Sequence, residues 1–372
     1  MRVLLTGGGT GGHINPALAI AAIIKTHYPD AEFLFVGAKG RMEEQLVPAA
    51  GYPLKTVEVR GFQRKLTVKN IGRNIKAAFC AVTASSACNR ILKEFRPDIA
   101  IGTGGYVSGP VLRCAAKLGI PVAVHESNAY PGMTVKMLSK YADVVMLCDE
   151  AAAKYLPAGA KVAITGNPVH SGFQAMDKAT ARKELGLDQR PLVLSVGGSL
   201  GARRINETMT EVLARSHKAG ALQHIHATGR QGYDTVAENL TKAGVPLKGD
   251  GIWVRDYIDD MPRCMAAADV VISRCGAMTL TELPMAGKPS ILIPSPYVAE
   301  NHQYHNAMAL VNKGAALCIE EKDLTEQALW EALETILSHP EKRQEMAENA
   351  RRAAILDVDA RIWAAIEPLI KD

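Results

Sequence analysis

No apolar run in this 372-residue sequence approaches the ~18–20 residues that a membrane-spanning helix needs, so no spanning segment is expected. CxxC spacing is missing as well. The cysteines, Cys80, Cys88, Cys114, Cys148, Cys264, Cys275 and Cys318, are odd in number, and most stand in apolar surroundings. They read as buried, reduced thiols of a cytosolic protein, against a disulfide framework or a zinc site. A strong charge surplus is absent too. The formal net charge of +5 is too small to argue for nucleic acid, and no nucleic-acid partner is expected. The opening "MRVLLT" is too short for the apolar region of a secretory leader and breaks at glycine, so it reads as a first β-strand.

What is present is alternation. Short β-branched runs at 2–6, 32–37, 98–102, 121–125 and 144–147 are followed by a second series at 191–196, 223–228, 270–273 and 290–294. Between them lie segments with 3.6-residue apolar spacing, among them 13–27, 40–50, 108–118, 201–215 and 277–286. Continuous apolar strands alternating with helices imply parallel α/β sheets. The two series are related. "VLLTGGGTGG" (3–12) aligns without a gap to "VLSVGGSLGA" (193–202), placing Gly7, Gly8 and Gly11 on Gly197, Gly198 and Gly201. "PDIAIGTGGY" (97–106) pairs with "ADVVISRCGAM" (268–278), placing Asp98 on Asp269 and Gly105 on Gly276. Two doubly wound domains of similar topology are predicted. The boundary is expected within 159–172, giving domains 1–163 and 164–340 and a helical stretch, 341–372, that packs back on the first domain.

A Gly-rich turn between strand and helix exposes backbone N–H groups at the helix's positive end and suits an anion such as phosphate. Two further absences narrow the ligand. Gly7-x-Gly9-x-x-Gly12 fits a dinucleotide fingerprint, but the end of the second strand, "VGAKG" (36–40), has no acid for a ribose. An NAD-dependent oxidoreductase is therefore disfavoured. The loop ends in Gly12-His13 and not in GK[ST], which disfavours a P-loop ATPase. A helix N-terminus favours neutral imidazole, which can act as a general base. His13 is either that base or a residue that caps and packs the turn.

Together, "GGGTGGH", "GTGGYVSGP" (102–110), "HESN" (125–128), "GNPV" (166–169), "GGSLGARRIN" (197–206), "SRCGAMTLTEL" (273–283) and "SPYVAENHQYHNA" (295–307) resemble the MurG family, glycosyltransferase family 28. The matches run in order across nearly the whole chain. The resemblance implies a GT-B fold, two Rossmann-like doubly wound parallel-sheet domains facing a cleft. It implies inverting, metal-independent transfer of GlcNAc from UDP-GlcNAc to the muramyl O4 of lipid I, undecaprenyl-pyrophosphoryl-MurNAc-pentapeptide. The products are lipid II and UDP, a step of peptidoglycan synthesis that serves cell shape and division. No cofactor or metal is implied.

By position, the resemblance implies that Ser199 and the helix after Gly198 face the UDP phosphates. Ile258 would offer backbone to the uracil, and Ala277, Met278 and Thr279 would lie along the nucleotide. Glu282 would take the ribose hydroxyls and Gln303 the GlcNAc hydroxyls. Thr10, Gly11, Gly12 and Asn128 would close over the sugar, and the first loop would also receive the acceptor diphosphate. His13 is the first choice for the base, Glu126 the second and His125 the third. Ser127, Leu200, His170, Cys275 and His302 depart from the usual pattern, and Leu200 and His170 put individual donor contacts in doubt.

Residues 59–79 carry Arg60, Arg64, Lys65, Lys69, Arg73 and Lys76 and no acid, interleaved with Leu66, Ile71, Ile75 and Phe79. That is either a solvated basic face or, given a lipid-linked acceptor, a surface that docks on anionic inner-leaflet lipid. The enzyme would then sit peripherally on the cytoplasmic face of the membrane, where cell-wall synthesis proteins are further partners. Asp357-Val-Asp359 lies in a helical pattern and reads as solvated surface. His224-x-His226 reads as core or surface histidines for want of a third ligand. The competing readings are another UDP-sugar transferase, a UDP-GlcNAc epimerase, or a sugar-nucleotide-binding module without catalysis.

Overall fold

The computed structural model describes residues 1–59, 84–168, 173, 176–198 and 200–370. The chain divides into two compact units, Met1–Val169 with Asp357–Asp372, and His170–Leu356.

The first unit is built on seven strands: β1 (Arg2–Thr6), β2 (Glu32–Ala38), β3 (Leu54–Val57), β4 (Ile99–Gly102), β5 (Val122–Glu126), β6 (Val144–Leu147) and β7 (Val162–Ile164). They lie in the order β3-β2-β1-β4-β5-β6-β7, and every pairing is parallel. Val3, Leu4, Leu5, Ile99, Ile101 and Val122 are fully buried, as central strands covered on both faces must be. The second unit holds β8 (Leu192–Val196), β9 (Gln223–Ala227), β10 (Lys248–Gly249), β11 (Ile252–Arg255), β12 (Val270–Ser273), β13 (Ser290–Leu292) and β14 (Ala316–Cys318). Their order is β10-β11-β9-β8-β12-β13-β14, with β10 alone antiparallel to its neighbour.

Winding reverses beside β1 in one sheet and beside β8 in the other. These switch points are where open α/β sheets bind ligands, and each is followed by a glycine loop. The aligned pair Asp98 and Asp269 has one job in both units. Asp98 accepts from the backbone N–H of Arg2 at 2.7 Å, and Asp269 from that of Leu192 at 2.9 Å. Each carboxylate thus ties the start of the central strand to the strand next to it.

The C-terminal stretch differs from the expectation. The helix Pro340–Ala353 packs against Thr279–Met285 and Glu326–Leu337 in the second unit. Helical backbone then breaks, and a new helix, Val358–Ile366, packs on Gly11–His27 in the first unit. Trp363 stacks on His27 with centroids 4.1 Å apart, and Arg361 ion-pairs with Asp357 at 2.7 Å. Asp357-Val-Asp359 is thus the start of a helix.

Candidate active site

In the first unit, β1 runs through Gly7–Thr10 into the helix Gly11–His27. Thr10 is the N-cap with extended backbone, its side chain caps nothing, and the first turn contains no acid. The N-terminal N–H groups therefore have no competing carboxylate in their own turn. Thr10 and Gly12 are exposed, and Gly11 and His13 half-buried.

His13 is seated by the loop after β4. Its Nδ1 lies 2.9 Å from the carbonyl oxygen of Thr103, and the Thr103 hydroxyl donates to the His13 carbonyl at 2.6 Å. A carbonyl can only accept, so Nδ1 carries a proton, and in the neutral ring the lone pair is on Nε2. Gly104 has φ of +102°, and a Cβ there would lie 2.8 Å from Nδ1 of His13. A Cβ on Gly105 would lie 2.3 Å from the carbonyl oxygen of Gly8. The "GTGG" turn is therefore a close-packed bed for the first glycine loop and its histidine. Glu43 supports the loop from the other side. Its buried carboxylate accepts from the N–H of Gly9 at 3.1 Å and of Ala38 at 2.8 Å.

Glu126 ends β5 but turns its carboxylate inward and is only 3 % exposed. Oε1 accepts from the backbone and side-chain nitrogens of Asn128 at 2.9 and 3.0 Å, and Oε2 from Gly132 at 2.8 Å. Burial raises its pKa while these bonds pull it down. The carboxylate folds the turn 126–132 and holds Asn128 in place. His125 is fully buried, with Nε2 3.0 Å from the Gly166 carbonyl and its pKa lowered to about 4 by burial.

The second unit contains a cavity of about 1140 Å³ at the C-terminal ends of β8, β12 and β13. Ile258, Met278, Thr279, Glu282 and Gln303 all line it, as does Gly198. Ala277 lies on the same turn but is not among the lining residues. Ser199, His170 and the basic residues of 60–79 lie outside the described residues. Leu200 is 74 % exposed. The helix Arg203–Ala219 begins at this cavity with an uncapped N-terminus and no acid in its first turn. A Cβ on Gly201 would lie 2.0 Å from the Thr228 carbonyl oxygen, so the loop can pack there only as glycine.

The Glu282 carboxylate has no hydrogen-bond or ionic partner among the described residues, and burial raises its pKa from 4.5 to about 7. Such a group suits hydroxyl donors brought by a ligand. Gln303 is oriented by its surroundings. Its Oε1 accepts from the N–H of Cys275 at 3.3 Å and of Ser295 at 2.9 Å, which leaves the amide N–H groups as donors. Arg274 ties the two walls together, donating to the carbonyls of Ile293 and Pro294 at 3.2 Å each and pairing with Glu321. Glu300 and Asn301, beside the cavity, are consecutive non-glycine residues with φ of +57° and +51°.

Neither strand histidine faces a ligand. His224 and His226 are fully buried on β9, bonded to the hydroxyls of Ser216 at 2.7 Å and Ser195 at 2.8 Å. Burial lowers their pKa values to about 3 and about 4.

Two family models match in tandem, the glycosyltransferase family 28 N-terminal domain over residues 3–147 and the C-terminal domain over 192–362. A curated relative from Acetivibrio thermocellus is 43% identical over 100% of this chain and 99% of its own length. One from Caldanaerobacter subterraneus is 44% identical over 99% and 100%. The chain belongs to glycosyltransferase family 28. Both relatives carry the name UDP-N-acetylglucosamine--N-acetylmuramyl-(pentapeptide) pyrophosphoryl-undecaprenol N-acetylglucosamine transferase. The crystal structure of Acinetobacter baumannii MurG matches with a TM-score of 0.81 and 29% identity, covering 99% of each chain. As a family 28 member this chain is a glycosyltransferase with the GT-B fold expected from its motifs. Four residues that shape its sites carried no signal strong enough to single them out: Thr103, Gly104, Glu43 and Arg274. Thr103, Gly104 and Arg274 stand inside motifs named above, but their contacts join segments far apart in sequence, as Thr103 and Gly104 do with His13 about ninety residues away.

Proposed function

We propose that this glycosyltransferase moves GlcNAc from UDP-GlcNAc to the muramyl O4 of lipid I, giving lipid II and UDP in peptidoglycan synthesis. The observation that carries this reading is the end-to-end similarity to relatives whose name states that transfer. The donor's place is the cavity of the second unit, with Glu282 on the ribose hydroxyls and the amide of Gln303 on the sugar. As the bond from C1 of GlcNAc to the UDP oxygen breaks, negative charge grows on the diphosphate. The uncapped start of Arg203–Ala219 supplies fixed N–H donors and a positive helix end for that charge.

On this reading the glycine loop of the first unit takes the acceptor diphosphate. His13 Nε2 accepts the proton of the muramyl hydroxyl as that oxygen attacks C1, and the configuration inverts. The bond from Nδ1 to Thr103 holds the tautomer and steadies the imidazolium that forms. Glu126 is a positioning residue for Asn128. Charge stabilisation by helix ends and backbone makes the reaction independent of metal. Among the described residues no helix is long and apolar enough to cross a membrane. We assign attachment to the cytoplasmic face and anionic lipid to the basic residues within 59–79.

The test is UDP release by the purified protein in EDTA, with and without a short-chain lipid I analogue. Acceptor-dependent release that persists in EDTA is expected, and His13→Ala should lower kcat by about 10²–10⁴-fold. Release that stops in EDTA and returns with Mg²⁺ overturns the metal-independent mechanism. Near-normal turnover by His13→Ala removes His13 as the base.

A further inference from the structure

We infer that Glu43 is a positioning residue for acceptor binding, acting through Gly9; this rests on the reading that the first glycine loop takes the acceptor diphosphate. Glu43 begins the helix Glu43–Ala49, yet its side chain is fully buried and points back under the sheet's C-terminal edge. Its two oxygens join neighbouring strand ends, Oε2 taking the N–H of Gly9 after β1 and Oε1 that of Ala38 at the end of β2. No cationic side chain pairs with it among the described residues. These two backbone donors are therefore what compensates a buried carboxylate.

The surrounding sequence is cut to admit it. A Cβ on Gly8 would lie 2.2 Å from Glu43 Oε1, and a Cβ on Gly37 would lie 2.5 Å from Glu43 Cγ. This accounts for the glycine at the end of the second strand, where a dinucleotide fold carries the acid that meets a ribose. Here an acid does fill that corner, but it comes from the following helix and grips the protein's own loop. Gly9 has φ of +89° and no neighbour within 4 Å of a Cβ position, so steric packing does not fix its conformation. The bond to Glu43 does. It fixes the residue immediately before Thr10, whose carbonyl receives the N–H groups of His13 and Ile14 at 3.1 and 3.2 Å. The carboxylate thus aims the start of the helix from beneath the loop.

Two substitutions test this. Glu43→Gln keeps the shape but offers an N–H group where a backbone N–H needs an acceptor, and Glu43→Asp shortens the reach so that one bond is lost. In each, KM for a lipid I analogue should rise tenfold or more. At saturating acceptor, kcat should stay within about threefold, and UDP-GlcNAc KM and UDP affinity within twofold. A merely structural role predicts a lower melting temperature and a smaller active fraction with both KM values unchanged. That result overturns the inference, as does loss of folded protein in both variants.

Gly12→Asp separates this inference from the reading beneath it. A Cβ at Gly12 meets only the Thr10 hydroxyl, at 3.7 Å, so the added carboxylate faces outward as a repelling charge. If Gly12→Asp leaves the acceptor KM unchanged, the loop is not the diphosphate site and both ideas fall. If Gly12→Asp raises it while both Glu43 variants leave it unchanged, only the role of Glu43 falls.

Discussion

Gly104 and Glu282 show how single residues set the chemistry of the two units. At Gly104 any side chain must meet the His13 ring at 2.8 Å, on a backbone with φ of +102°. Gly104→Ala should therefore displace the ring and lower kcat roughly 10²-fold with little change in UDP affinity, read from steady-state kinetics and a UDP titration. Glu282 gives a pH signature. Burial raises its pKa to about 7, and under the proposed donor binding it is the ionised form that would accept ribose hydroxyls. Uridine should bind roughly tenfold more tightly at pH 8 than at pH 6, and Glu282→Gln should flatten that slope. The linkage to stability has the opposite sign. The folded state keeps a proton that the unfolded chain releases, so this group lowers stability as pH rises from 4.5 to about 7. At this scale the sequence was legible where a contiguous motif carries the residues of a loop end or a cavity lining. His13, Glu282 and Gln303 stand in such motifs and face what a ligand could reach. Thr103 and Glu43 act through backbone groups distant in sequence, and no motif announces a carbonyl or a buried carboxylate as a support.

Strands and helices were legible where burial is continuous on both sides. The nine apolar runs all appear as strands, within about two residues of their expected ends. The edge and short strands β3, β10, β11 and β14 gave no continuous apolar run, since exposed residues such as Lys55 and Thr56 and half-buried ones such as Trp253 and Arg255 interrupt the pattern and the strands are short. The final helical pattern hid a break, since Pro340–Ala353 and Val358–Ile366 bury different faces against different units. Walls of the second unit's cavity come from loops after β12 and β13 and from 320–322, and Arg274 is the tie that joins them. Arg274→Ala leaves the half-buried Glu321 carboxylate at the cavity wall without its partner. It should cost about 1–3 kcal/mol in urea unfolding of the second unit and raise KM for UDP-GlcNAc. An unchanged urea midpoint means the tie contributes nothing to the fold.

For the molecule as a whole, the proposed electrostatic attachment and the order of the chain are what can be tested. Neutralising Arg64, Lys65, Lys69 and Arg73 together should weaken binding to anionic vesicles by more than 10²-fold, at roughly 1 kcal/mol per basic residue. Turnover with a short-chain acceptor in detergent should be unaffected; equal vesicle binding by the variant and the parent protein sinks the docking proposal. The two-unit architecture was readable from the internal repeat, and Asp98 and Asp269 do the same work in both sheets, whereas the aligned glycines meet different neighbours in the two units. The return of the C-terminal helix was readable only in outline. That return has a consequence for biosynthesis. Residues 1–169 leave the ribosome first, yet Trp363, which stacks on His27, is translated only after the entire second unit. The first unit is begun first and finished last. A nascent chain stalled before residue 357 carries every strand of that unit with one flank of its first helix still bare, and that flank is where a chaperone would find it.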